Sequence, residues 1–462
     1  MLFTTFPFLV FLLAVLALFY LLPKPARRYL MLAASLAFYM AWNWKFVVLL
    51  LGLITVDFFA ALWIRSRQGP TRRLALLLSL AANIGMLGWF KYANFLRETW
   101  FHFARPGAPY HPLDIILPLG ISFHTFQSIS YVIDVYRGEQ PAITGYVDYA
   151  LFVAFFPQLV AGPIVRAREF FLDYFNWRKP TSEEWQRGCA MILTGYVKKL
   201  IFADQFKIAS DLYFANPQAL PGLMPAWTAS IAFALQIFFD FSGYTDIAIG
   251  LALLFGFHFP ENFRRPYLAA TLTEFWRRWH MTLSNWLRDY VYISLGGNRK
   301  GKLRTYLNLL LTMLLGGLWH GASWNFVIWG GYHGAVLAVE RILWNRRRPN
   351  ALARLPLAAL NFLVVCLGWV FFRATTFAGA SYVIHQMFSF ATAHGHSILT
   401  PLQWRLAIGT LVVAVAEEYA GVWTKLTEAP AWLRTAIAVL AILAIEIFSA
   451  SDQAVPFVYF QF

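Results

Sequence analysis

The residue of this sequence best suited to chemistry is His320. It lies in the sequence GGLWHGASW at 316–324, directly after the apolar run LLLTMLL at 309–315. An ionisable side chain at membrane depth is costly, so an intramembrane histidine is a candidate functional residue. A neutral imidazole can accept a proton from an attacking hydroxyl near pH 7 and return it later. The competing interpretation is a histidine that only hydrogen-bonds between two helices.

A second candidate, His280, lies in a stretch that is both basic and aromatic. Nine Lys and Arg residues stand against two acids between positions 264 and 304. Thr271 followed by Glu274 is a capping-box pattern, which marks the start of a helix. With helical spacing from that start, the apolar residues that follow fall on one face. The sequence therefore predicts one amphipathic helix over 271–290, either at the cytoplasmic interface or plugging the membrane from that side. An aromatic-belt role is the alternative for its histidine. The residues on its apolar face are Trp276, His280, Leu283, Leu287 and Tyr290.

Two carboxylates, Asp240 and Asp246, interrupt an apolar run at DFSGYTD, 240–246. Acids at membrane depth need partners, and a broken helix that lines a polar cavity would accommodate them. We favour ion pairing over direct catalysis for both. The expected partners are Arg264, Arg265, Arg277 and Arg278. Three further histidines are predicted to be packing or hydrogen-bonding residues, namely His124, His258 and His333.

Other catalytic signatures are missing from the sequence. It has no helical His-x-x-x-His pair, no Gly-x-Ser-x-Gly elbow and no phosphate-binding P-loop. The two cysteines, Cys189 and Cys366, suggest neither a disulfide framework nor a metal site. We expect no metal, and a hydroxyl nucleophile would have to come from the acceptor or from a partner protein.

The elements that must position these residues are membrane helices. Of the 462 residues, 59% are hydrophobic and 13% are charged, too few polar groups for the surface of a soluble protein. The net charge of +15 lies in short loops, which indicates the positive-inside pattern and not nucleic-acid binding. Because a span needs roughly 20 apolar residues, we expect about ten to twelve spanning helices plus re-entrant and interfacial pieces. The apolar segments include 2–22, a first helix without signal-peptide features, and 224–240, 244–258, 304–330 and 331–345.

At these residues the chain resembles a known family, the membrane-bound O-acyltransferases, and within it the bacterial branch of alginate O-acetylation membrane proteins. The resemblance covers nearly the whole chain, and its central block, 240–333, is highly specific. The matching stretches are LPLGISF at 117–123, YVIDVYRG at 131–138, AGP at 161–163, DFSGY at 240–244, EFWRRWH at 274–280, WLRDY at 286–290, GGNR at 296–299, LWHG at 318–321 and YFQF at 459–462.

The resemblance implies a single all-α membrane domain over 1–462, a ring of about 11 tilted helices around a central funnel. The family's catalytic histidine corresponds to His320 and its second histidine to His280. A cytoplasmic acyl thioester, acetyl-CoA or an acyl carrier, would enter near 271–290 without any permanently bound cofactor. The residues expected along the donor path are Trp276, Arg277, Trp279, Arg288, Asp289, Tyr290, Asn298 and Trp319. Those expected as structural lining are Asp240, Ser242, Tyr244 and Asp246.

The same resemblance implies an acetyl group passed across the bacterial inner membrane to a secreted polysaccharide. Related systems add a periplasmic protein with a catalytic serine, and a polysaccharide synthase complex is a further expected partner. His124 and Gln127 differ from the residues expected in alginate proteins, and a large polar insertion before the last helix is absent. Alginate, cellulose, another exopolysaccharide and peptidoglycan therefore stay open as acceptors.

Two other functions stay open on the sequence. One keeps the family and changes the acyl group, as a D-alanyl transferase from a carrier protein to teichoic acid; the Ala-, Leu- and Arg-rich composition, typical of Gram-negative sources, disfavours it. The other is a transporter or flippase that uses Asp240, Asp246 and His320 for ion coupling. The sequence lacks the paired repeats that many transporters show.

Overall fold

The computed structural model describes residues 2–105, 110–160, 162–344, 351–390, 396–449 and 457. Throughout these ranges the regular elements are helices, and no strand is formed in them. The chain divides into two compact units, Met1–Cys189 with Ile247–Pro260, and Ala190–Asp246 with Glu261–Phe462. Residue 161 and the terminal 459–462, which contribute to the family resemblance, lie outside the described residues.

The first unit is built from nine complete helices in its described part. Proline within the first turn begins α1, α2 and α4, where its missing N–H costs no hydrogen bond. The helices are α1 (Phe6–Leu21), α2 (Lys24–Met40), α3 (Lys45–Ser66), α4 (Pro70–Leu87), α5 (Ala93–Ala104), α6 (Ile121–Arg137), α7 (Tyr146–Ala154), α8 (Phe156–Leu159) and α9 (Ala167–Phe175).

Two helices are shared between the units, α10 (Ser182–Tyr196) and α12 (Leu223–Leu254). The other helices of the second unit follow in chain order. They are α11 (Asp204–Ala215), α13 (Leu272–Trp276), α14 (Met281–Trp286), α15 (Lys302–His320), α16 (Trp324–Trp344), α17 (Ala351–Arg373), α18 (Phe377–Met387), α19 (Pro401–Ala420), α20 (Val422–Thr427) and α21 (Ala431–Phe448). Three π-helical segments extend neighbouring helices, Gly88–Tyr92, Val197–Ala203 and Leu287–Tyr292.

Several helices can cross a bilayer by length and composition. Within the described part, five meet both conditions: Lys45–Ser66, Pro70–Ala104, Leu223–Leu254, Ala353–Arg373 and Ala431–Phe448. The helices α7 and α8 have nine and four residues, too few to span a hydrocarbon core that takes roughly 20. The helical membrane architecture is confirmed, while the expected number of spans and the funnel stay predictions.

The predicted break at 240–246 is wrong, because α12 runs through it without interruption. The two acids are held by lysines of the preceding segment. Lys199 Nζ lies 2.8 Å from Asp240 Oδ1, and Lys198 Nζ lies 2.6 Å from Asp246 Oδ2. A Cβ on Gly243 would approach Gly195 O to 2.8 Å, so glycine lets the two backbones come close enough for these pairs. The predicted arginine partners are therefore also wrong.

The single amphipathic helix predicted over 271–290 is wrong as well. Thr271 begins α13 as predicted, and its hydroxyl accepts the Glu274 N–H at 3.1 Å. The helix ends after Trp276, and α14 begins only after His280, which has a left-handed backbone with φ 41°. A π-helical segment then follows. Leu283 and Leu287 are buried while Arg277 and Arg288 are exposed, so the stretch has an apolar and a polar face without being one continuous helix.

The helices α15 and α16 occupy the region in which the sequence indicated two apolar segments, 304–330 and 331–345. The real boundary lies earlier, because α15 ends at His320 and α16 begins at Trp324. Two glycines permit the close crossing of these helices. A Cβ on Gly317 would lie 2.2 Å from Phe326 O, and one on Gly330 would lie 2.3 Å from Met313 O. Small residues at such crossings are the usual means of close helix packing in membranes.

Candidate active site

His320 is the last residue of α15 and is only 4% exposed. Its imidazole is surrounded by aromatic rings. The ring centroids of Trp319, Trp329 and Phe372 lie 5.0, 5.0 and 5.2 Å from it. The Trp329 ring is nearly perpendicular to the imidazole, at 86°. This predicted site residue is therefore enclosed in an apolar pocket, where hydrogen bonding and proton transfer are little weakened by water.

His280 is fully buried, and its side chain makes a polar contact. Its Nδ1 lies 3.1 Å from Asn262 Oδ1, and the same oxygen accepts the Thr282 N–H at 3.1 Å and the Thr282 hydroxyl at 2.9 Å. Since an amide oxygen cannot donate, His280 Nδ1 must carry the hydrogen. In the neutral ring the lone pair then lies on Nε2. The sequence gave no indication of Asn262.

Trp319 contacts both predicted catalytic histidines. Its ring centroid lies 5.0 Å from that of His320 and 5.8 Å from that of His280. Phe241 of α12 packs edge-on against His280, with ring centroids 4.7 Å apart. The structure thus brings together residues from three distant parts of the chain, as a site requires.

His333 extends this group along α16. It is fully buried, and its ring lies 4.7 Å from Trp329 and 5.3 Å from Trp276. Neither ring nitrogen of His333 has a hydrogen-bond partner within the described part of the chain, nor has the indole N–H of Trp276, Trp329 or Trp369. Buried polar atoms without partners are rare and need an explanation, of which a ligand-binding role is one. We define His280, Trp319, His320, Trp329 and His333 as the imidazole–indole cluster.

The residues predicted for the donor path divide into two sets. Trp276 and Trp319 contact the histidines of the cluster, and Trp279 is buried 5.1 Å from Trp369. Tyr290 is buried against Trp286, and Asp289 is partly buried and pairs with Arg288 at 2.6 Å. The structure leaves the remaining three on the surface. They are Arg277, Arg288 and Asn298.

Comparison with known proteins identifies the family. The family model described as the membrane-bound O-acyltransferase family matches residues 138–381, more than half of the chain. This protein belongs to that family. It is therefore an acyltransferase and a multi-pass protein of the bacterial inner membrane. A transporter without chemistry of its own, one of the open alternatives, is thereby disfavoured.

Individual relatives of this acyltransferase cover most of its length. A protein described as a probable alginate O-acetylase of Pseudomonas aeruginosa is 44% identical over 86% of this chain and 77% of its own. One with the same description from Azotobacter vinelandii is 40% identical over 97% of both chains. A peptidoglycan O-acetyltransferase of Helicobacter pylori is 39% identical over 77% of this chain and 72% of its own.

In this acyltransferase the predicted lining residues lie on one buried helix, α12. Ser242 is fully buried, and Tyr244 stacks on Phe457 at 5.1 Å. Asp240 and Asp246 form the lysine pairs described above. Phe241, which follows Asp240 in the sequence, contacts His280. This stretch of α12 therefore reaches the cluster at Phe241, and the role of the four residues as lining stays a prediction.

Of the three histidines predicted to be packing or hydrogen-bonding residues, His258 behaves as expected. Its ring lies 3.2 Å from Asp173 Oδ1 and 2.9 Å from Glu184 Oε1, in the first unit. His124 is buried there. His333 packs as predicted, yet its position beside Trp329 was missed. The available signal was the four-residue spacing between Trp329 and His333, which puts both on one face of a helix.

Proposed function

We propose that this acyltransferase transfers an acetyl group from a cytoplasmic thioester to a hydroxyl of an exported polysaccharide, with His320 as the general base. The observation that carries the proposal is the burial of His320 among Trp319, Trp329 and Phe372 at the end of α15. The alginate O-acetylases that resemble the chain over 86% or more of its length support acetyl as the acyl group.

The chemistry requires one proton to be moved. The acceptor hydroxyl attacks the thioester carbonyl carbon while the imidazole of His320 takes its proton. The new C–O bond forms, the tetrahedral intermediate collapses and the C–S bond breaks. The imidazolium then returns the proton to the departing thiolate, so the products are an acetyl ester and a free thiol. An imidazole suits both steps because the same ring can accept a proton and then release it.

Two neighbours support this step in the proposal. The indole N–H of Trp329 is buried beside His320 and has no partner within the described residues, so it can donate to the oxyanion that develops on the carbonyl. His280, with its Nδ1–H held by Asn262, presents the lone pair of Nε2. It can accept a hydrogen bond from the acceptor hydroxyl and orient it.

The donor is proposed to approach along the segment 264–304. Arg277 is exposed there and forms no ion pair with any described residue. Its guanidinium is therefore available to the phosphates of coenzyme A or of a carrier's phosphopantetheine. The donor binds as a substrate, and the proposal needs no resident cofactor or metal.

The acceptor is proposed to be a polysaccharide hydroxyl, reached directly or through the serine of a periplasmic partner. Alginate or another exopolysaccharide is the first candidate. Peptidoglycan is the second, favoured by the 39% identity to the Helicobacter pylori enzyme of that name. D-alanyl transfer needs a carrier-bound alanyl thioester and is distinguished by the donor that the protein consumes.

A deletion strain tests the proposal. Cells that lack the gene should make a surface polysaccharide without O-acetyl esters, and the wild-type gene should restore the acetyl signals in its proton NMR spectrum. His320→Ala should not restore them at equal membrane abundance. His258→Ala is the matched control, because it removes a histidine of the first unit that pairs with Asp173 and Glu184, and it should restore acetylation. Unchanged acetylation in the deletion strain contradicts the proposed function, and full restoration by His320→Ala contradicts the assigned base.

A further inference from the structure

A lone carboxylate is buried in the first unit, outside all the residues discussed so far. Asp57 lies near the middle of α3 and has no exposed surface. Its Oδ1 accepts the Ser79 hydroxyl at 2.6 Å and the Asn83 side-chain amide at 2.8 Å, both from α4. No Lys, Arg or His within the described ranges pairs with it. An unpaired carboxylate inside a membrane helix is expensive, so a positive charge is expected at this position.

Other oxygen atoms without partners lie beside this carboxylate. Asp57 Oδ2, Asn83 Oδ1 and the Tyr149 hydroxyl are buried and make no hydrogen bond to any part of the chain that the structure describes. The Ser128 hydroxyl of α6 lies next to both Asp57 and Tyr149 without good hydrogen-bond geometry to either. Four helices, α3, α4, α6 and α7, therefore each contribute an oxygen to one buried group.

The orientation of Asn83 supports this arrangement. Its amide nitrogen donates to Asp57 Oδ1 at 2.8 Å and to the Ser79 carbonyl oxygen at 3.0 Å. The reversed amide would place an oxygen against two acceptors, so the carbonyl oxygen must be the atom left without a partner. A proton on Asp57 would satisfy one oxygen of the group, whereas a cation would satisfy several at once.

We propose that Asp57, Asn83, Ser128 and Tyr149 form a binding site for a monovalent cation, with Na⁺ as the ligand. Hard cations take oxygen ligands of the carboxylate, carbonyl and hydroxyl types present here. The site supplies one negative charge, which a monovalent ion neutralises and a divalent ion would exceed. The bound ion joins α3, α4, α6 and α7, so it stabilises the first unit, and the proposal does not depend on the acyl-transfer reaction.

Binding of ²²Na⁺ to the purified full-length protein in detergent tests the site. The wild type should retain about one saturable equivalent that unlabelled NaCl displaces and choline chloride does not. Asp57→Asn should lose it. The matched control is Asp173→Asn, which removes a carboxylate of the same unit that pairs with His258, and it should bind like the wild type.

A second variant, Tyr149→Phe, tests the cation site even if Asp57→Asn does not fold. Tyr149→Phe removes one hydroxyl and retains the ring, so it should weaken ²²Na⁺ binding by roughly three- to tenfold. Absence of saturable ²²Na⁺ binding to the wild type contradicts the site. Equal binding by the wild type and Asp57→Asn, or undiminished affinity in Tyr149→Phe, also contradicts it.

Discussion

The second unit contains two polar regions at membrane depth that look alike in the sequence and differ in the structure. One is the imidazole–indole cluster around His320. The other, which we define as the ion-pair region, surrounds Lys199. Its ammonium group lies 2.8 Å from both Asp204 Oδ1 and Asp240 Oδ1, and all three side chains are at most 5% exposed. Close by, Lys198 pairs with Asp246.

The difference lies in how the polar groups are satisfied. In the ion-pair region every acid faces a lysine of the protein, and Lys199 is shared between Asp204 and Asp240. In the cluster, the Trp329 N–H and both nitrogens of His333 have no partner within the described residues. Ion pairing within the protein indicates a structural role, whereas unfilled hydrogen-bonding capacity next to a buried imidazole indicates a substrate. An intramembrane charge is therefore not by itself a sign of catalysis.

Removal of the proposed base, His320, should produce the largest difference in behaviour between the two regions. His320→Ala should lower the turnover of labelled acetyl-CoA by about 10³-fold, because proton transfer by a positioned side chain contributes on this order. The protein should remain folded, since an imidazole among aromatic rings is replaced by a smaller apolar group. A scintillation assay on purified protein measures the loss, and turnover within a few-fold of wild type would contradict the assignment.

Loss of a charge from the ion-pair region should instead unfold the protein. Lys199→Met leaves Asp204 and Asp240 without their cation and should cost about 3–5 kcal/mol of stability. Thermal unfolding in detergent measures this cost. The triple variant Lys199→Met, Asp204→Asn, Asp240→Asn removes all three charges and should recover most of it. Lost turnover with unchanged thermal stability in Lys199→Met would assign the region to chemistry.

The role of the Trp329 N–H can be tested while an aromatic side chain is kept at this position. Trp329→Phe retains an aromatic side chain and should lower kcat by about 10²-fold with little change in KM, as expected for loss of one oxyanion donor. Trp369→Phe is the matched control, because it removes another indole N–H that has no hydrogen-bond partner among the described residues, with a ring centroid 6.0 Å from that of Trp329. If the two variants have the same kcat, the donor role is contradicted.

The smallest loss of stability is expected at the more exposed ion pair. Lys198 and Asp246 have side chains 25% and 21% exposed, so solvent screens their attraction. Lys198→Met should lower stability by about 1 kcal/mol, clearly less than Lys199→Met. Comparison of the two unfolding midpoints measures this, and equal losses would show that burial does not set the strength of these pairs.

The sequence predicts the cluster better than the path of the backbone around it. His320 stands out because it follows a long apolar run, and this needs no knowledge of tertiary contacts. The end of α15 at His320 could not be predicted, because the apolar pattern continues through 330 and the boundary depends on packing against α16. The break at His280 was missed for a similar reason, since a left-handed residue leaves no trace in helical spacing.

The partners of the buried acids show a further limit of prediction from the sequence. Arginines beyond Asp246 were expected, yet the partners are Lys198 and Lys199 of an earlier segment. Charge counts identify which acids need partners, but only the packing of α10 and its extension against α12 determines which cations reach them. Asn262 was missed because a single polar amide carries no distinctive pattern, and Trp329 was missed because only its four-residue spacing to His333 sets it apart among 19 tryptophans.

The central claim is that the cluster performs the chemistry and the ion-pair region maintains the fold. The most direct test measures thermal stability and acetyl-CoA turnover on the same preparations of His320→Ala and of the triple variant at Lys199, Asp204 and Asp240. We expect wild-type stability with lost turnover in the first, and turnover close to wild type in the second. Turnover retained in His320→Ala, or abolished in a stably folded triple variant, would contradict the claim.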